Sequence, residues 1–352
     1  MTDVRANRSQ YETEIREQPE ALRRLLSRSR GVADDLGRRI ATFKPKFVVI
    51  AARGSSDNAA RYANYLFGVH HGLVTALASP SLITRYQSTL QLDEALAIGV
   101  SQSGRSPDIV AMIEHAGQQG ALTIALTNDT ESPLANVASA CLPLEAGDER
   151  AVAATKTYSN QLASFAMLSA AIRNDSRAWA ELEAMPEAVQ RTVDIVSSAA
   201  TGAQSFKASP TLAVIGRGFN ICTAHEIALK VMELTYAMAQ PFPLPDFMHG
   251  PIAMLDSNLP AMVIATHGAI TADMMEFFSV ARDRGVKLIV VSDREDVLSQ
   301  AALPLRVAEN VPEWISPLVA VIPGQFWALE LATARGHSPD KPRGLSKVTE
   351  TE

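Results

Sequence analysis

The sequence predicts an α/β fold made of two tandem copies of one domain, each with a mainly parallel sheet. Short apolar runs end in turns rich in glycine and hydroxyl side chains and lead into helical patterns, which is the order of βαβ units with right-handed crossovers. The same order of elements starts again at Thr211, at an offset of 162 to 165 residues. A length of 352 residues leaves room for two domains of ordinary size.

Composition and charge narrow the class of protein. The chain is 47% hydrophobic and 20% charged, as globular proteins are, and its net charge of −6 gives no general reason to expect nucleic-acid binding. The charged first 30 residues lack the apolar core of a signal peptide, and no segment reaches about 18 apolar residues, so we expect a cytoplasmic protein without a membrane span. Cys141 and Cys222 have neither disulfide nor metal-site spacing, and we expect no metal.

The N-terminal part predicts a helical segment, residues 1–40, followed by a first strand. Residues 11–30 have the pattern of a charged amphipathic helix that is interrupted near Pro19. Phe47–Ala51 is a short apolar run of the kind that forms a buried strand. A turn with glycine and serine follows it and precedes a helix predicted over about 58–67.

The stretch from Leu96 to Asp108 carries the clearest functional signal. The run Leu96–Val100 predicts a buried strand, and Pro107 suits the first turn of a helix that Ser106 would cap. The loop 101–106 between them contains three serines and a glycine. Because the unpaired N–H groups at a helix N-terminus bind anions and hydroxyls add donors, this loop predicts a phosphate site rather than an ordinary capped turn.

Further elements complete the two copies, which we place at residues 41–200 and 201–335. In the first copy the pattern predicts strands at Leu122–Leu126 and Cys141–Leu144 and helices over 155–173 and 177–200, the second broken at Pro186. In the second copy it predicts a strand from Thr211, a helix over Thr223–Gln240, and strands at Ala261–Thr266 and Lys287–Ser292. The turn Thr266–Ala269 lacks the serine hydroxyls of loop 101–106, so we expect a poorer phosphate site there.

The predicted helix Thr223–Gln240 carries three charged side chains on one face. Glu226, Lys230 and Glu233 follow spacings of four and three, which ordinarily indicate a solvated stripe with an ion pair. The intervening residues are apolar, however, and predict a helix that is largely buried. Buried charges need partners or a function, so both interpretations stay open at this point.

Two segments of the second half are weak signals when taken singly. The predicted loop Pro241–Pro251 contains four prolines and ends in His249-Gly250-Pro251, and a single loop histidine is more often structural or merely exposed than catalytic. The C-terminal tail, residues 336–352, carries Lys347 in a segment that is too short and polar to have its own core.

Together these motifs resemble the sugar isomerase (SIS) family along essentially the whole chain. The likeness is to the isomerase half of glucosamine-6-phosphate synthase and to stand-alone SIS-type glucosamine-6-phosphate deaminases, and it implies two tandem SIS domains, each a three-layer α/β/α sandwich with a flavodoxin-like sheet. The matching motifs are EIREQP, the Gly-Ser-Ser turn, SQSGRSPD, TNDTESPLA, AVAATKTYSNQL, GRG followed by ALKVMEL, HGP and PRGLSKVT.

The sequence also departs from that family pattern. The glutamine amidotransferase domain that would precede residue 11 is absent, and no N-terminal cysteine nucleophile is available, so we do not expect a full synthase that takes ammonia from glutamine. Arg105 stands where the family commonly has Glu, and Met232 stands where Lys is common, which leaves substrate detail open.

The resemblance assigns roles to individual residues. It implies that a phosphate is bound by Ser56, Ser101, Gln102, Ser103 and Ser106, and that Val152 and Ala154 line the sugar through main-chain contacts. It implies that Glu233 is the base that moves a proton between carbons 1 and 2, with Lys230 orienting the open chain beside it. His249 would assist ring opening, and Lys347 matches the family's Schiff-base lysine. In the family the His249 loop reaches the neighbouring subunit's site, which implies a homodimer.

These roles are chemically sufficient for an aldose–ketose isomerisation. One carboxylate on a fixed helix can remove a proton beside a carbonyl and return it to the neighbouring carbon, and a histidine can open the ring, so neither a redox cofactor nor a metal is required. The leading hypothesis is a deaminase that converts glucosamine 6-phosphate and water to fructose 6-phosphate and ammonia. The alternatives are another phosphosugar isomerase, a fructosamine-6-phosphate deglycase, or a non-catalytic sugar-phosphate sensor.

Overall fold

The computed structural model describes residues 8–199 and 201–347, which form two compact units. We call them the N-terminal unit (residues 20–149, 156–184 and 346–347) and the C-terminal unit (residues 8–19, 150–155, 185–199 and 201–345). Two helices begin the chain, α1 (Gln10–Arg16) and α2 (Gln18–Phe43). The interruption predicted near Pro19 is confirmed, because α1 ends at Arg16 and Pro19 lies in the first turn of α2, where its missing N–H leaves no bond unmade.

The N-terminal unit is built on a five-stranded parallel sheet. Its strands are β1 (Phe47–Ala51), β2 (Val74–Leu77), β3 (Ala95–Val100), β4 (Leu122–Thr127) and β5 (Ala140–Pro143). They lie in the order β2-β1-β3-β4-β5, and every neighbouring pair is parallel. All residues of β3 and β4 are buried, which explains why β3 has no polar side chain and β4 has only two, those of Thr123 and Thr127.

Helices follow the strands of this unit in alternation. They are α3 (Ser55–His71), α4 (Ser81–Thr84), α5 (Pro107–Gln118), α6 (Pro133–Val137), α7 (Lys156–Arg173) and α8 (Ser176–Glu183). The order of strands reverses between β1 and β3, so the turns that follow these two strands lie at the switch point, where open parallel sheets bind ligands.

The C-terminal unit repeats this architecture. Its strands are β6 (Thr211–Gly216), β7 (Met238–Pro243), β8 (Ala261–Ile264), β9 (Leu288–Ser292) and β10 (Leu303–Arg306). The order β10-β9-β8-β6-β7 is that of the first sheet strand for strand, and all pairs are again parallel. The prediction of two tandem α/β copies with parallel sheets is therefore confirmed.

Six α-helices and four 3-10 helices complete the described part of this unit beside α1. The α-helices are α9 (Met185–Ser198), α10 (Ile221–Thr235), α11 (Leu244–Met248), α12 (Thr271–Asp283), α13 (Glu295–Leu298) and α14 (Pro317–Ala334). The 3-10 helices are Ala203–Phe206, Gly218–Asn220, Pro251–Met254 and Glu313–Ile315. Among the described residues, α14 alone is long and apolar enough to cross a membrane, and 78% of it is buried, because it is the core helix that packs against α9 and α10.

The structure corrects the predicted helix Thr223–Gln240 and the loop that follows it. Helix α10 ends at Thr235, because Tyr236 adopts a left-handed conformation with φ +58°, and the chain continues as strand β7. Two prolines lie in this strand, which is possible because β7 is at the edge of its sheet. The rest of the predicted loop contains α11 and a 3-10 helix.

Candidate functional site

The loop after β3 makes a tight turn whose backbone requires glycine. Its turn depends on Gly104, which has φ +64° and lies so close to its neighbours that an added Cβ would be 2.0 Å from Ser132 Oγ. Ser132 caps α6 and belongs to the TNDTESPLA motif, so two motifs meet at this glycine. Only glycine combines that φ with that contact.

The serines of this loop are arranged around its backbone N–H groups. Ser101 Oγ accepts a hydrogen bond of 3.1 Å from the N–H of Gly104, and Ser103 Oγ accepts one of 3.3 Å from the N–H of Arg105. Ser106 takes the N-cap position of α5 as predicted, but its side chain makes no capping hydrogen bond. Its hydroxyl therefore does not satisfy the helix N–H groups, one of which, that of Ile109, donates instead to Asp108 Oδ1 at 2.9 Å.

The turn after β1 lies beside this loop. Arg53 Nη2 is 2.7 Å from Oδ2 of Asp108, a buried carboxylate in the first turn of α5, so an ion pair joins the two turns across the switch point. Ser56, in the first turn of α3, accepts a hydrogen bond of 2.9 Å from Gln161 Nε2 on α7. These contacts bring Ser56 and the loop 101–106 to one edge of the sheet. The roles of Arg53, Asp108 and Gln161 were not predicted, because an ion pair between distant residues leaves no local pattern.

Lys347 pairs with a buried carboxylate in the N-terminal unit. Its Nζ is 2.7 Å from Oε2 of Glu149, whose side chain is completely buried. Glu149 also accepts hydrogen bonds from the N–H and the hydroxyl of Thr157, in the first turn of α7, at 3.0 and 2.7 Å. A carboxylate at a helix N-terminus is stabilised by the helix dipole, so Glu149 is a fixed anion that holds the tail lysine.

In the C-terminal unit, the charged face of α10 is buried. Lys230 is 1% exposed, with its Nζ 2.6 Å from Glu233 Oε2 and 3.4 Å from Glu226 Oε1. Burial acts to lower the pKa of Lys230, but the carboxylates of Glu226 and Glu233 outweigh it and raise that pKa above its ordinary value. The Glu233 side chain keeps 22% exposure while that of Glu226 has none. The solvated-stripe interpretation is wrong, and Glu233 is the member of this group that a ligand can reach.

His249 lies at the end of α11 and is exposed. Its backbone N–H donates to the carbonyl oxygens of Pro245 and Asp246, at 3.2 and 3.3 Å. In the part of the chain that the structure describes, its ring makes no hydrogen bond to Lys230 or Glu233. The described structure therefore gives His249 no hydrogen bond to the charged face of α10.

The segment 150–155 is shaped by a buried carboxylate from α1. Glu14 is fully buried, and its Oε1 accepts hydrogen bonds from the N–H of Arg150 at 2.6 Å and from Gln10 Nε2 at 2.8 Å. Its Oε2 accepts from the N–H of Ala151 at 3.2 Å. Val152 and Ala154 follow directly and are half-buried. Glu14 belongs to the EIREQP motif, and this contact gives that motif a physical role that its sequence alone did not reveal.

The turn after β8 differs in chemistry from its counterpart after β3. The N–H of His267 donates to Asp293 Oδ1 at 2.8 Å, and the N–H of Ala269 donates to Glu313 Oε2 at 2.9 Å. Carboxylates of the protein itself thus occupy donors of this turn, and their charge disfavours a phosphate there. That the second copy has the poorer phosphate site stays a prediction.

The comparisons with known proteins decide the family. The SIS domain matches residues 43–171 and 205–335, one match in each repeat. The chain belongs to the SIS domain family. The first SIS domain contains the loop 101–106, and the second contains the charged face of α10. Within the described residues, no group of three or more His, Cys, Asp or Glu side chains could hold a metal ion.

Relatives of this SIS protein include longer enzymes. It is 32% identical over 348 residues to the isomerizing glutamine–fructose-6-phosphate aminotransferase of Thermococcus kodakarensis, covering 96% of this chain and 57% of that enzyme. The enzyme of the same name from Mycolicibacterium smegmatis is 33% identical over 282 residues, covering 76% of this chain and 45% of that enzyme. The SIS protein thus spans about half the length of these curated relatives.

Solved structures share the fold of the SIS protein over nearly its full length. A protein from Silicibacter pomeroyi DSS-3, provisionally classed as a phosphosugar isomerase, is 32% identical with a TM-score of 0.86, covering 95% of this chain and 100% of that one. The C-terminal domain of glucosamine-fructose-6-phosphate aminotransferase from Francisella tularensis is 24% identical with a TM-score of 0.87, covering 97% and 100%. This second likeness shows the fold alone.

Proposed function

We propose that this SIS protein is an aminosugar-phosphate deaminase that converts glucosamine 6-phosphate and water to fructose 6-phosphate and ammonia. The observation that carries the proposal is the buried Lys230 between two carboxylates, of which only Glu233 is accessible. Lys230 and Glu226 are buried, and the ion pairs fix Glu233 at the accessible end of this group. A partly exposed carboxylate in a fixed position on a helix can move a proton between neighbouring carbons.

In this proposal the first SIS domain binds the phosphate group. The hydroxyls of Ser101, Ser103, Ser106 and Ser56, with Gln102, supply hydrogen-bond donors, and the N-terminus of α5 supplies partial positive charge. Each hydrogen bond to a charged oxygen contributes about 1.5–3 kcal/mol. The main chain of Val152 and Ala154 would contact the sugar.

Proton transfer would be the task of Glu233. It removes the proton from carbon 2 of the open-chain aldose and returns it to carbon 1, while the carbonyl oxygen at carbon 1 gains a proton and the nitrogen at carbon 2 loses one, which leaves a hydroxyl at carbon 1 and an imine at carbon 2. Water adds to that imine, and the carbon–nitrogen bond breaks to give the ketose and ammonia. Lys230 would hold the open chain beside Glu233, and His249 would assist ring opening by moving the proton between the ring oxygen and the anomeric hydroxyl.

Lys347 has a more conditional role in the proposed reaction. A neutral Lys347 amine could attack carbon 2, release ammonia and form an imine that water then hydrolyses. Lys347 Nζ is 2.7 Å from Glu149 Oε2, so the lysine would have to leave that carboxylate and lose a proton before it attacks. The proposed deamination of glucosamine 6-phosphate needs only water as its second reactant. No metal or redox cofactor enters any of these steps.

Arg105 favours one alternative, an isomerase or deglycase acting on another phosphorylated sugar such as a fructosamine 6-phosphate. It lies in the loop 101–106, is 61% exposed and pairs with Asp129 at 3.2 Å. A cation there replaces the Glu that is common at this position in the family, so the sugar phosphate that this loop accepts would differ. The proposal further includes a homodimer in which the His249 loop serves the partner's site, and a cytoplasmic location.

The test is to incubate the purified protein with glucosamine 6-phosphate, other hexosamine 6-phosphates and fructosamine 6-phosphates while measuring ammonia and ketose release. We expect equal amounts of ammonia and fructose 6-phosphate from glucosamine 6-phosphate. Isomerised product without ammonia would instead support a simple isomerase, and release of a free amino acid from a fructosamine phosphate would support a deglycase. Binding without turnover on the whole panel would contradict the proposal and support a sensor.

A further inference from the structure

The segment after α14, residues 335–343, lies against the end of α10. The backbone N–H of Arg343 donates a hydrogen bond of 2.7 Å to the hydroxyl of Tyr236, and the Arg343 guanidinium lies 4.7 Å from the centroid of the same ring. The ring of His337 is 4.6 Å from it on a tilted plane. Arg335 Nη1 donates at 2.9 Å to the carbonyl oxygen of Thr235, in the last turn of the helix. Tyr236 is thus the centre of the contact.

The same segment is anchored a second time by Asp340. Its two carboxylate oxygens accept hydrogen bonds from the N–H groups of Gln10 and Tyr11, at 3.0 and 2.9 Å, in the first turn of α1. Pro342, between the two anchors, is buried. The segment is therefore a strap with two points of attachment, rather than a loose continuation of α14.

The backbone of Tyr236 indicates that its side chain is needed at this position. The residue has φ +58°, a conformation at a helix end that glycine and asparagine usually supply, and that a residue with a Cβ adopts at a cost. The aromatic side chain in that place stays 37% exposed. Its contacts with Arg343 and His337 are what the side chain contributes.

We propose that Tyr236 is a positioning residue that ties the tail bearing Lys347 to the helix bearing Glu233. Tyr236 lies three residues after Glu233 in the chain, and its partner Arg343 lies four residues before Lys347. One side-chain contact thereby limits the motion of two segments that carry proposed catalytic groups. This inference rests on the proposed function, which gives Glu233 and Lys347 their roles. The attachment of the strap is independent of that function.

Three substitutions separate the parts of this contact. Tyr236→Phe removes only the acceptor for the Arg343 N–H, Tyr236→Gly removes the ring while suiting the left-handed backbone, and Arg343→Lys keeps the charge but loses the planar group that stacks. Tyr86→Phe is the matched control, because Tyr86 is 75% exposed in the N-terminal unit. Tyr236→Gly relieves the backbone, so its effects cannot be attributed to a strained fold.

The experiment combines hydrogen exchange of peptides spanning 336–347 with steady-state kinetics on glucosamine 6-phosphate. We expect faster exchange in Tyr236→Gly and Arg343→Lys, a smaller change in Tyr236→Phe and none in Tyr86→Phe. Loss of one hydrogen bond should lower kcat about 2- to 10-fold with KM little changed, since substrate binding is left intact.

Two results would overturn the inference. Unchanged exchange in Tyr236→Gly would show that Tyr236 does not hold the strap. Faster exchange with an unaltered kcat would show that the strap does not position the catalytic groups. An inactive wild type would refute the proposed function, and with it the positioning role, while the exchange data would still decide whether Tyr236 holds the strap.

Discussion

Glu226, Lys230 and Glu233 illustrate how burial changes the meaning of a residue pattern. On a solvated helix, their spacing would give an exposed ion pair worth only a few tenths of a kcal/mol. Here Lys230 and Glu226 are enclosed, so the charges depend on one another for their stability in the fold. The result is that the position of Glu233 is fixed by an ion pair with the buried Lys230.

Replacing Glu233 tests the proposed base directly. We expect Glu233→Gln to lower kcat by about 10²–10⁴-fold, because the amide cannot accept the proton, while affinity for the sugar phosphate changes little. The measurement is turnover of glucosamine 6-phosphate together with calorimetric binding. Glu276→Gln, an exposed glutamate on α12, is the matched control. Turnover within a few-fold of wild type would remove Glu233 from the mechanism.

Lys230 should matter for stability as much as for catalysis. Lys230→Met leaves the carboxylate of Glu226 buried without its cation, and we expect a loss of about 3–5 kcal/mol in the free energy of unfolding. The double variant Lys230→Met/Glu226→Leu removes both charges and should recover most of that loss. Urea denaturation measures both values, and equal destabilisation of the single and double variants would contradict the pairing.

Gly104 gives a residue-scale test of the phosphate loop. Gly104→Ala should weaken phosphosugar binding at least ~10-fold, because the added Cβ collides with Ser132 and the backbone must leave its left-handed conformation. Gly120→Ala is the control, since Gly120 also has a positive φ, +88°, but open space around it. Calorimetric titration compares the two variants, and equal losses of affinity would argue that the steric contact is unimportant.

At the scale of elements, helices α3 and α7 are joined by a pair of histidines. His70 and His71 are the last two residues of α3, and Ser169 lies on α7. His70 Nδ1 is 3.1 Å and His71 Nε2 is 2.9 Å from the hydroxyl of Ser169. Burial lowers the pKa of His71 to about 4, with the neighbouring His70 and Arg173 contributing in the same direction, and burial lowers the pKa of His70 as well. Both rings are therefore neutral when this contact is formed at neutral pH.

This contact makes stability depend on pH. Because the unfolded chain takes up protons near the ordinary histidine value of ~6.5 and the folded state resists them, the free energy of unfolding should fall as the pH drops from about 6.5 to about 4. We expect His71 to account for roughly 1–2 kcal/mol of this decrease, after allowance for solvent screening.

Urea denaturation at several pH values measures the effect. His71→Gln should flatten the slope in this interval, whereas the exposed control His267→Gln should not. An identical slope in His71→Gln and wild type would show that the buried ring is not the source of the pH dependence.

Elements were predictable where local pattern and burial coincide. The strand Phe47–Ala51 is found as predicted, and the strand predicted at Leu122–Leu126 also includes Thr127. Both could be predicted because buried parallel strands are mostly apolar. Strand β2 was not predicted, since it has four residues and its first, Val74, is 75% exposed. The end of α10 was placed five residues too late, because its termination depends on the conformation of Tyr236, which no residue type there announces.

At the scale of the whole molecule, the sequence predicts the duplication. It predicts only in part how the ligand-binding groups differ between the two repeats. The equal loop lengths before α5 and α12 follow from the repeat, and the missing hydroxyls of the second copy can be read from the sequence. The sequence could not show that Asp293 and Glu313 accept hydrogen bonds from the loop of the second copy, because these contacts join residues 26 and 44 positions apart. The same holds for Arg53 with Asp108 and for Glu14 with the segment after Glu149.

The difference between the two copies predicts the binding stoichiometry. Calorimetric titration with glucosamine 6-phosphate should give one phosphate site per chain, in the first SIS domain. Ser103→Ala should weaken binding by roughly 1–3 kcal/mol through the lost donor, whereas Thr266→Ala in the second copy should leave affinity unchanged. Two equivalent sites per chain, or equal effects of the two substitutions, would contradict this division.

Each unit is assembled from separate stretches of chain, and this has a consequence for biosynthesis. The C-terminal unit includes residues from the beginning of the chain, and the N-terminal unit includes residues 346 and 347 from its far end. Neither copy can therefore be complete until the residues near position 345 have been synthesised, and the buried carboxylate of Glu149 has Lys347 as its partner only after that residue has left the ribosome. Fragments cut at the repeat boundary should be poorly soluble when expressed separately, and co-expression of both fragments should recover them only in part.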